Sequence, residues 1–378
     1  MIEIKDKSQC CGCEACAQRC PVSCITMRED ECGFLYPHVD VDACVDCHMC
    51  EQVCPCLNRQ EAQAPIACHA AANPDEAERL KSSSGGLFMM LARNVIGQGG
   101  VVFGARFDDS WCVVHDAAET VEALAPFCTS KYVQSAIGDS YRRVKDFLQQ
   151  GRWVMFTGTP CQIAGLKRFV GETAGRLVTV EVACHGVPSP GVWRAWLKKR
   201  SGGRAIQRVN FRDKSTGWRG YSVVIGDSRR HHDDDDYMVT FLDNYNLRPS
   251  CFNCPAKDGS SGADILLADL WGCDRILSRR DDNRGMSAVI VRSEAGHQLV
   301  EQCVPDGVPV DYSQVVKYNP ALVHSPVKPG GYDLFWKRMK NAPLWTLKRY
   351  RFMGASGPSA VMTRAKVWLH HRLHRPSK

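Results

Sequence analysis

Beyond its first sixty residues the chain alternates short apolar runs with longer stretches whose apolar positions recur every three or four residues. In "KSSSGGLFMMLARNVIGQGG" the residues Leu87, Met90, Leu91 and Val95 fall on one helical face. Gly97, Gly99 and Gly100 end that helix, and "VVFGA" follows as a strand. The segment "RWVMFTGTPCQIAGLKRFVGETAGRLVTVEVACHGVPSPGVWRAWLKKR" repeats the alternation. It predicts a buried strand at Trp153 to Phe156, a turn at Pro160, a helix from about Cys161 to Phe169, a strand at Leu177 to Ala183, and another helix. Such a βαβ unit makes its two strands parallel. Cys161 and Cys184 then emerge at the carboxyl edge of the sheet, where open α/β sheets bind ligands. Farther along, "YSVVIG" and "YMVTFL" read as strands joined by the polar turn "HHDDDD".

The opening sixty residues follow a different rule, set by cysteine. Cys10, Cys13, Cys16 and Cys20, followed by Pro21, form the run C-x2-C-x2-C-x3-C-P. Cys44, Cys47, Cys50 and Cys54, followed by Pro55, repeat every interval. This doubled run is the signature of ferredoxins holding two [4Fe-4S] clusters, in which the fourth cysteine of each run serves the other cluster. The expected ligand sets are therefore Cys10, Cys13, Cys16 with Cys54, and Cys44, Cys47, Cys50 with Cys20. Zinc also uses paired C-x2-C elements, but separates its pairs by longer loops. Cys11, Cys24, Cys32 and Cys56 fall outside the repeat and read as packing residues. So small a module draws much of its folding free energy from what it binds.

Charge and composition sharpen the division. With 44% apolar and 24% charged residues, the 378-residue chain is globular and long enough for two or three domains. Residues 1–60 carry ten acidic and five basic side chains, whereas residues 335–378 carry eleven Lys or Arg and no acid. The basic end suits an anionic membrane surface or an acidic partner, and equally a solvated tail. "MIEIKDKSQC" lacks an apolar core, and the longest apolar stretch is interrupted by Arg93, so the expectation is a cytoplasmic chain whose thiols are ligands or redox groups. "GTPCQIAG" lacks the Lys-Ser/Thr end of a phosphate-binding loop, and the basic residues do not interleave with aromatics as in nucleic-acid binders.

A second group of candidates lies in the larger part. Cys251 and Cys254 of "RPSCFNCPAK" offer half of a metal site, and Cys161 with Cys184 is the most economical other half. Cys273 and His185 are substitutes. Cys161 also reads as a nucleophile at a helix N-terminus, and the C-x2-C pair as a redox dithiol. Ser82, Ser83, Ser84, Gly85 and Gly86, at a helix opening, present amides and hydroxyls suited to an anion. Arg212, Lys214 and Arg219 form a loop whose default state is solvation.

Taken in order, "SSSGGLF", "SKYVQS", "FTGTPCQIAGL", "CHGVPSPGVW", "NFRDK", "CFNCPAK" and "ADLWG" resemble the coenzyme F420 hydrogenase/dehydrogenase beta-subunit family, in the form with an N-terminal two-cluster ferredoxin domain. The likeness runs to roughly residue 300. It implies an α+β and α/β chain: a small ferredoxin-like domain at 1–58, a linker at 59–66, an α/β flavin-binding domain with a mostly parallel sheet at 67–330, and a basic tail at 331–378. It further implies an iron-sulfur flavoprotein oxidoreductase that passes electrons between clusters and FAD, and on to coenzyme F420 or another two-electron acceptor. The alternatives are an electron-transfer subunit without its own substrate, or a reductase of polysaccharide biosynthesis. Carried over by motif, Ser82 to Gly86, Lys131, Ser135, Thr157, Gly158, Thr159, Pro160 and Gln162 hold FAD, with Lys131 stabilising the anionic reduced flavin. Cys161, Cys184, Cys251 and Cys254 hold a third [4Fe-4S] cluster. A redox partner protein and a small-molecule acceptor complete the expectation.

Overall fold

The computed structural model describes residues 1–171, 175–278 and 281–341. The doubled cysteine run folds into two similar halves. Helix α1 (Ala15–Arg19) and the hairpin strands β1 (Ile25–Glu29) and β2 (Leu35–Val39) precede α2 (Met49–Gln52). Strands β1 and β2 pair antiparallel from Ile25↔Val39 to Glu29↔Leu35. The residue before each helix, Glu14 or His48, is left-handed, with φ of 60° and 58°.

The body continues with β3 (Ala67–Ala71), α3 (Glu76–Lys81), α4 (Leu87–Gly97), β4 (Val101–Phe107), β5 (Val113–Ala118), α5 (Ser140–Gln149), β6 (Val154–Gly158), α6 (Pro160–Val170) and β7 (Leu177–Val182). Then come α7 (Pro190–Ser201), β8 (Val209–Asp213), β9 (Ser222–Ile225), β10 (Ser228–His231) and α8 (Asp236–Leu242). The last elements are β11 (Ile265–Asp269), α9 (Cys273–Ile276), β12 (Ser287–Val291), α10 (Glu294–Cys303), β13 (Val308–Pro309), α11 (Tyr312–Tyr318) and α12 (Tyr332–Asn341). Eight strands form one sheet in the order β13-β3-β12-β11-β7-β6-β4-β5. The central run β11-β7-β6-β4 is parallel, and antiparallel strands flank it on both sides. The chain is thus α+β and α/β, as expected.

Helices cover both faces of this sheet, which explains the continuous apolar runs of its central strands. Val102 and Met155 point toward α4 and α10, whereas Val101, Phe103, Val154 and Phe156 point toward α5 and α6. The βαβ unit matches its predicted extent to within two residues. β8, β9 and β10 form a separate antiparallel sheet packed on α7 and α8, with Phe335 and Met339 of α12 buried in the same core. Among the described residues no helix is long and apolar enough to cross a membrane.

"YMVTFL" is a correction, since these residues form α8 rather than a strand. The Asp235 carboxylate accepts from the Tyr237 and Met238 amides and caps the helix. Burial of Tyr237, Met238 and Phe241 then overrides their preference for strands. The tail expected from residue 331 opens with α12, whose Tyr332 donates to the Leu247 carbonyl at 2.6 Å. Residues 342–378, which hold most of its basic charge, lie outside the described residues.

The first cysteine run docks on α5 and α6. Glu14 accepts from the Ile137 and Gly138 amides, and Gln18 Oε1 accepts from those of Tyr141 and Arg142. Two residues of the small module thereby satisfy amides at the N-terminus of a helix in the body.

Candidate functional site

The structure gathers the cysteines into three sets. In the first, the Cys16 thiol faces those of Cys13 and Cys10, and Cys54 faces Cys13. Burial pushes Cys10 and Cys16 up from the ordinary thiol range. In the second, Cys20, Cys44, Cys47 and Cys50 line a small cavity with Val22, Ile25 and Val45. Cys24 joins them, its sulfur 3.4 Å from that of Cys20. The Ile2 amide donates to Cys50 Sγ at 3.3 Å.

The third set is built by the body. Cys161 sits in the first turn of α6, Cys184 follows β7, and Cys251 and Cys254 come from the short turn Pro249–Asn253 and its end. The Cys254 thiol lies within electrostatic reach of those of Cys161, Cys251 and Cys184. Burial raises Cys184 to about 12 and Cys251 to about 11. Thr159 Oγ1 lies 3.4 Å from Cys161 Sγ, and the Val187 amide donates to Cys251 Sγ at 3.4 Å. Neither substitute belongs to this set: Cys273 is beside Asp281 and Arg219, and the His185 ring bonds Asn244 at 2.6 Å.

Cys11 and Cys56 are more than packing residues. Cys11 and Cys13 are buried in one core cluster with Cys56 and Cys161 packed against it, and this mutual proximity raises Cys11 while lowering Cys56 and Cys161. The first set and the third therefore adjoin where Cys11, Cys13, Cys56 and Cys161 share one core cluster. Spacing within either cysteine run does not reveal this, because the contact spans the docking of the module onto α6.

Soft donors, four to a set and largely buried, fit thiolate-held iron-sulfur groups. Buried thiols without a cation are held protonated, and a bound metal centre reverses that preference.

Beside the third set lies a cavity of about 460 Å³, within the range of small-molecule and cofactor sites. It is lined by every residue expected to hold FAD except Gly85 and Pro160, and Cys184 forms part of its wall. A Cβ on Gly85 would lie 2.8 Å from the Ala71 carbonyl, so this glycine serves the packing of the loop. Pro160 is the first residue of α6. The serine loop is less free than its sequence implies. Ser82 donates to the Glu78 carbonyl, Ser84 to that of Met286, and Ser83 accepts from the Ser130 amide. Lys131 gives its ammonium to the carbonyls of Pro126, Cys128 and Thr129 at 2.7, 2.8 and 3.1 Å, and burial lowers it to about 7. The residue clamps its own loop at the cavity wall.

The cavity also holds a residue that carries no signal in the sequence, His115. His115 is buried on β5, its ring stacked on Phe156 at 5.2 Å. Burial holds it at about 4, hence neutral. Its Nε2 lies 3.0 Å from the Thr157 carbonyl, which can only accept, so Nδ1 accepts from the Ser135 hydroxyl at 3.0 Å. Gln162 Nε2 donates to the same Ser135 oxygen at 2.9 Å. Opposite, Arg212 pairs with Asp269 at 2.9 Å, and Trp271 stacks on Trp218 at 4.5 Å. Arg212 and Lys214 are buried rather than solvated, Lys214 donating to the carbonyls of Arg79, Ser84 and Arg284. Arg219 is ion-paired with Asp281 and Asp274. At the "HHDDDD" turn, His232 stacks on Tyr221 at 4.3 Å and bonds its carbonyl.

Residues 151–310 match the family model for the C-terminal region of the beta subunit of coenzyme F420 hydrogenase/dehydrogenase. A protein named Ferredoxin 7Fe from Hydrogenibacillus schlegelii is 44% identical over 41 residues, 11% of this chain and 46% of that protein. The chain thus spans about half the length of that curated relative. A solved chain of the F420-reducing [NiFe] hydrogenase complex from Methanosarcina barkeri is similar at 16% identity and a TM-score of 0.48, over 79% of this chain and 98% of that one. The matched region, residues 151–310, carries the strand ends and much of the lining of the cavity, and it is this part of the chain that is similar to the C-terminal region of the coenzyme F420 hydrogenase/dehydrogenase beta subunit.

Proposed function

We propose that the chain is an iron-sulfur flavoprotein oxidoreductase. The observation that carries this reading is the contiguity of the first thiol set, the third thiol set and the cavity. Cys10, Cys13, Cys16 and Cys54 would hold one cluster, Cys20, Cys44, Cys47 and Cys50 a second, and Cys161, Cys184, Cys251 and Cys254 a third. When bound, such clusters exchange single electrons, and a flavin in the cavity couples them to a two-electron acceptor. The protein's own part is to hold and insulate these groups. Glu14 and Gln18 fix the first set against the body, and Cys11 packs between that set and Cys161. At the cavity, neutral His115 orients Ser135, whose hydroxyl also receives Gln162. Lys131 places positive charge at the wall where a reduced flavin would carry negative charge.

The second set is the natural entry point, because Cys47 is exposed whereas Cys13 and Cys16 are buried. An acidic module favours a redox partner with a basic face. A deazaflavin such as coenzyme F420 is the acceptor class to which the family description points. The test is turnover by the chain, purified without oxygen, with an artificial one-electron donor and coenzyme F420, after the released flavin has been identified. Reduction of F420 with FAD bound supports the reading. Bound flavin that turns over only with a partner protein assigns the chain as an electron-transfer subunit, and absence of flavin refutes it.

A further inference from the structure

Arg248 is fully buried, and it crosses the boundary between the two parts of the chain. It lies in the body, three residues before Cys251, yet its partners are largely in the small module. Nε donates to the Cys10 carbonyl at 2.7 Å, Nη2 to the Leu35 carbonyl at 2.9 Å, and Nη1 to Gln134 Oε1 at 3.0 Å. Nη2 also lies 3.5 Å from Cys10 Sγ. The guanidinium stands over the Tyr36 ring at 4.2 Å and the Phe34 ring at 5.3 Å.

These partners satisfy its hydrogen bonds but not its charge. Arg200 and Arg212, which are also buried, are each paired with a carboxylate, Asp235 and Asp269. Among the described residues no carboxylate is ion-paired with Arg248. A buried cation without an anion is strongly unfavourable, and arginine does not shed its proton. The acidic groups at hand are the Cys10 thiol, with those of Cys11 and Cys251 nearby, and the buried Glu14 carboxylate, which feels Arg248 without being ion-paired with it and gives its oxygens to the Ile137 and Gly138 amides. The backbone has made room for this arrangement. A Cβ on Gly12 would lie 2.7 Å from Arg248 Nη1 and 2.9 Å from its Cζ. The matching position in the second run is Asp46, where no such guest has to be admitted.

We infer that Arg248 is a tuning residue: a fixed buried cation that raises the reduction potential of the group held by Cys10, Cys13, Cys16 and Cys54. The inference rests on the iron-sulfur reading above. One-electron reduction adds a negative charge to a thiolate-held group, and a cation fixed at 3.5 Å from one of its ligands, shielded from water, favours the reduced form. Among the described residues no buried guanidinium stands against the second set, where the cation in the cavity lining is the exposed Met1 ammonium, paired with Asp46 and Glu51, so two runs of equal spacing acquire unequal potentials. An electron accepted at the exposed second set then moves downhill to the first.

The test is a redox titration of the full chain, prepared without oxygen and followed by electron paramagnetic resonance, on the wild type, Arg248→Lys, Arg248→Met and Gln134→Glu. Iron and sulfide content is measured on each sample. Arg248→Lys keeps the charge, whereas Gln134→Glu keeps the guanidinium and sets a carboxylate against it. In Arg248→Met and Gln134→Glu one reduction wave should fall by at least tenfold in its equilibrium, about 59 mV for one electron, with Arg248→Lys closer to the wild type. Iron content equal to the wild type with an unmoved wave in Gln134→Glu overturns the inference. Loss of iron from all three variants, with the wild type loaded, also overturns it and leaves Arg248 a purely structural residue. A wild type without iron refutes instead the reading on which the inference rests.

Discussion

Gly12 and Glu14 carry the first cysteine run through the same pair of left-handed residues that Asp46 and His48 give the second, with φ of 70° and 60° against 49° and 58°. Ligand spacing, helix placement and backbone path agree, yet the surroundings diverge. The first run is buried against α5 and α6, capped by Glu14 and Gln18, and penetrated by Arg248. The second faces outward, with Cys47 exposed among Val22, Val41 and Val45, which are 45%, 62% and 60% exposed. Local sequence builds the cradle, and tertiary docking decides what each cradle is for. On the proposed function, the run sealed in protein suits relay and the run at the surface suits encounter with a partner.

The contrast is broken most severely at the junction. If Cys161 is a ligand of the third set as proposed, Cys161→Ser removes it and its packing against Cys11, and electron transfer from an external donor to the proposed flavin should fall by roughly 100-fold or more. That exceeds the usual cost of losing only an outer-shell partner of a metal site. Stopped-flow reduction of the flavin measures it, and an unchanged rate would show that the second set reaches the cavity by another route. Glu14→Ala orphans two amides and should cost about 3 kcal/mol of stability, as hydrogen bonds to a charged group are each worth ~1.5–3 kcal/mol. The matching His48→Ala, at an exposed position, should stay within about 0.5 kcal/mol. Thermal unfolding of the loaded protein compares the two.

A third expectation concerns a buried site in the body. His115 is neutral when folded, with its proton affinity lowered to about 4 by burial. Below the ordinary histidine range of about 6.5 the unfolded chain gains a proton that the folded chain refuses. Stability should therefore fall by about 2 kcal/mol from pH 7 to pH 5, and His115→Gln should lose that component. Unfolding midpoints of both proteins at the two pH values check this; an equal slope in both would remove His115 as the cause. A smaller effect than Glu14→Ala is expected of Gly12→Ala, about 1–2 kcal/mol by the same thermal unfolding, for forcing a side chain into a left-handed position already filled by Arg248. Asp46→Ala should cost less, although its backbone is nearly the same.

What is legible in the sequence follows the range of each interaction. Cysteine spacing and the βαβ period are local, and they mark the two cysteine runs, the central parallel strands and the placing of Cys161 and Cys184 at one sheet edge. Glu14, Gln18 and Arg248 look like ordinary surface polar residues in sequence. Their partners are more than a hundred positions away, and only docking gives them meaning. Cys11 and Cys56 read as packing for the same reason, and neutral His115 carries no motif. The "YMVTFL" helix is hidden by its aromatic and β-branched residues, although the preceding Asp235 is a visible cap.

Iron and acid-labile sulfide per chain, measured on protein purified without oxygen, address the central claim most directly when wild type is compared with Cys251→Ser/Cys254→Ser. The account predicts iron and sulfide in the wild type, with the variant losing the share of the third set while the ferredoxin-type share remains. Equal content in both proteins, or zinc without sulfide in the wild type, would contradict it.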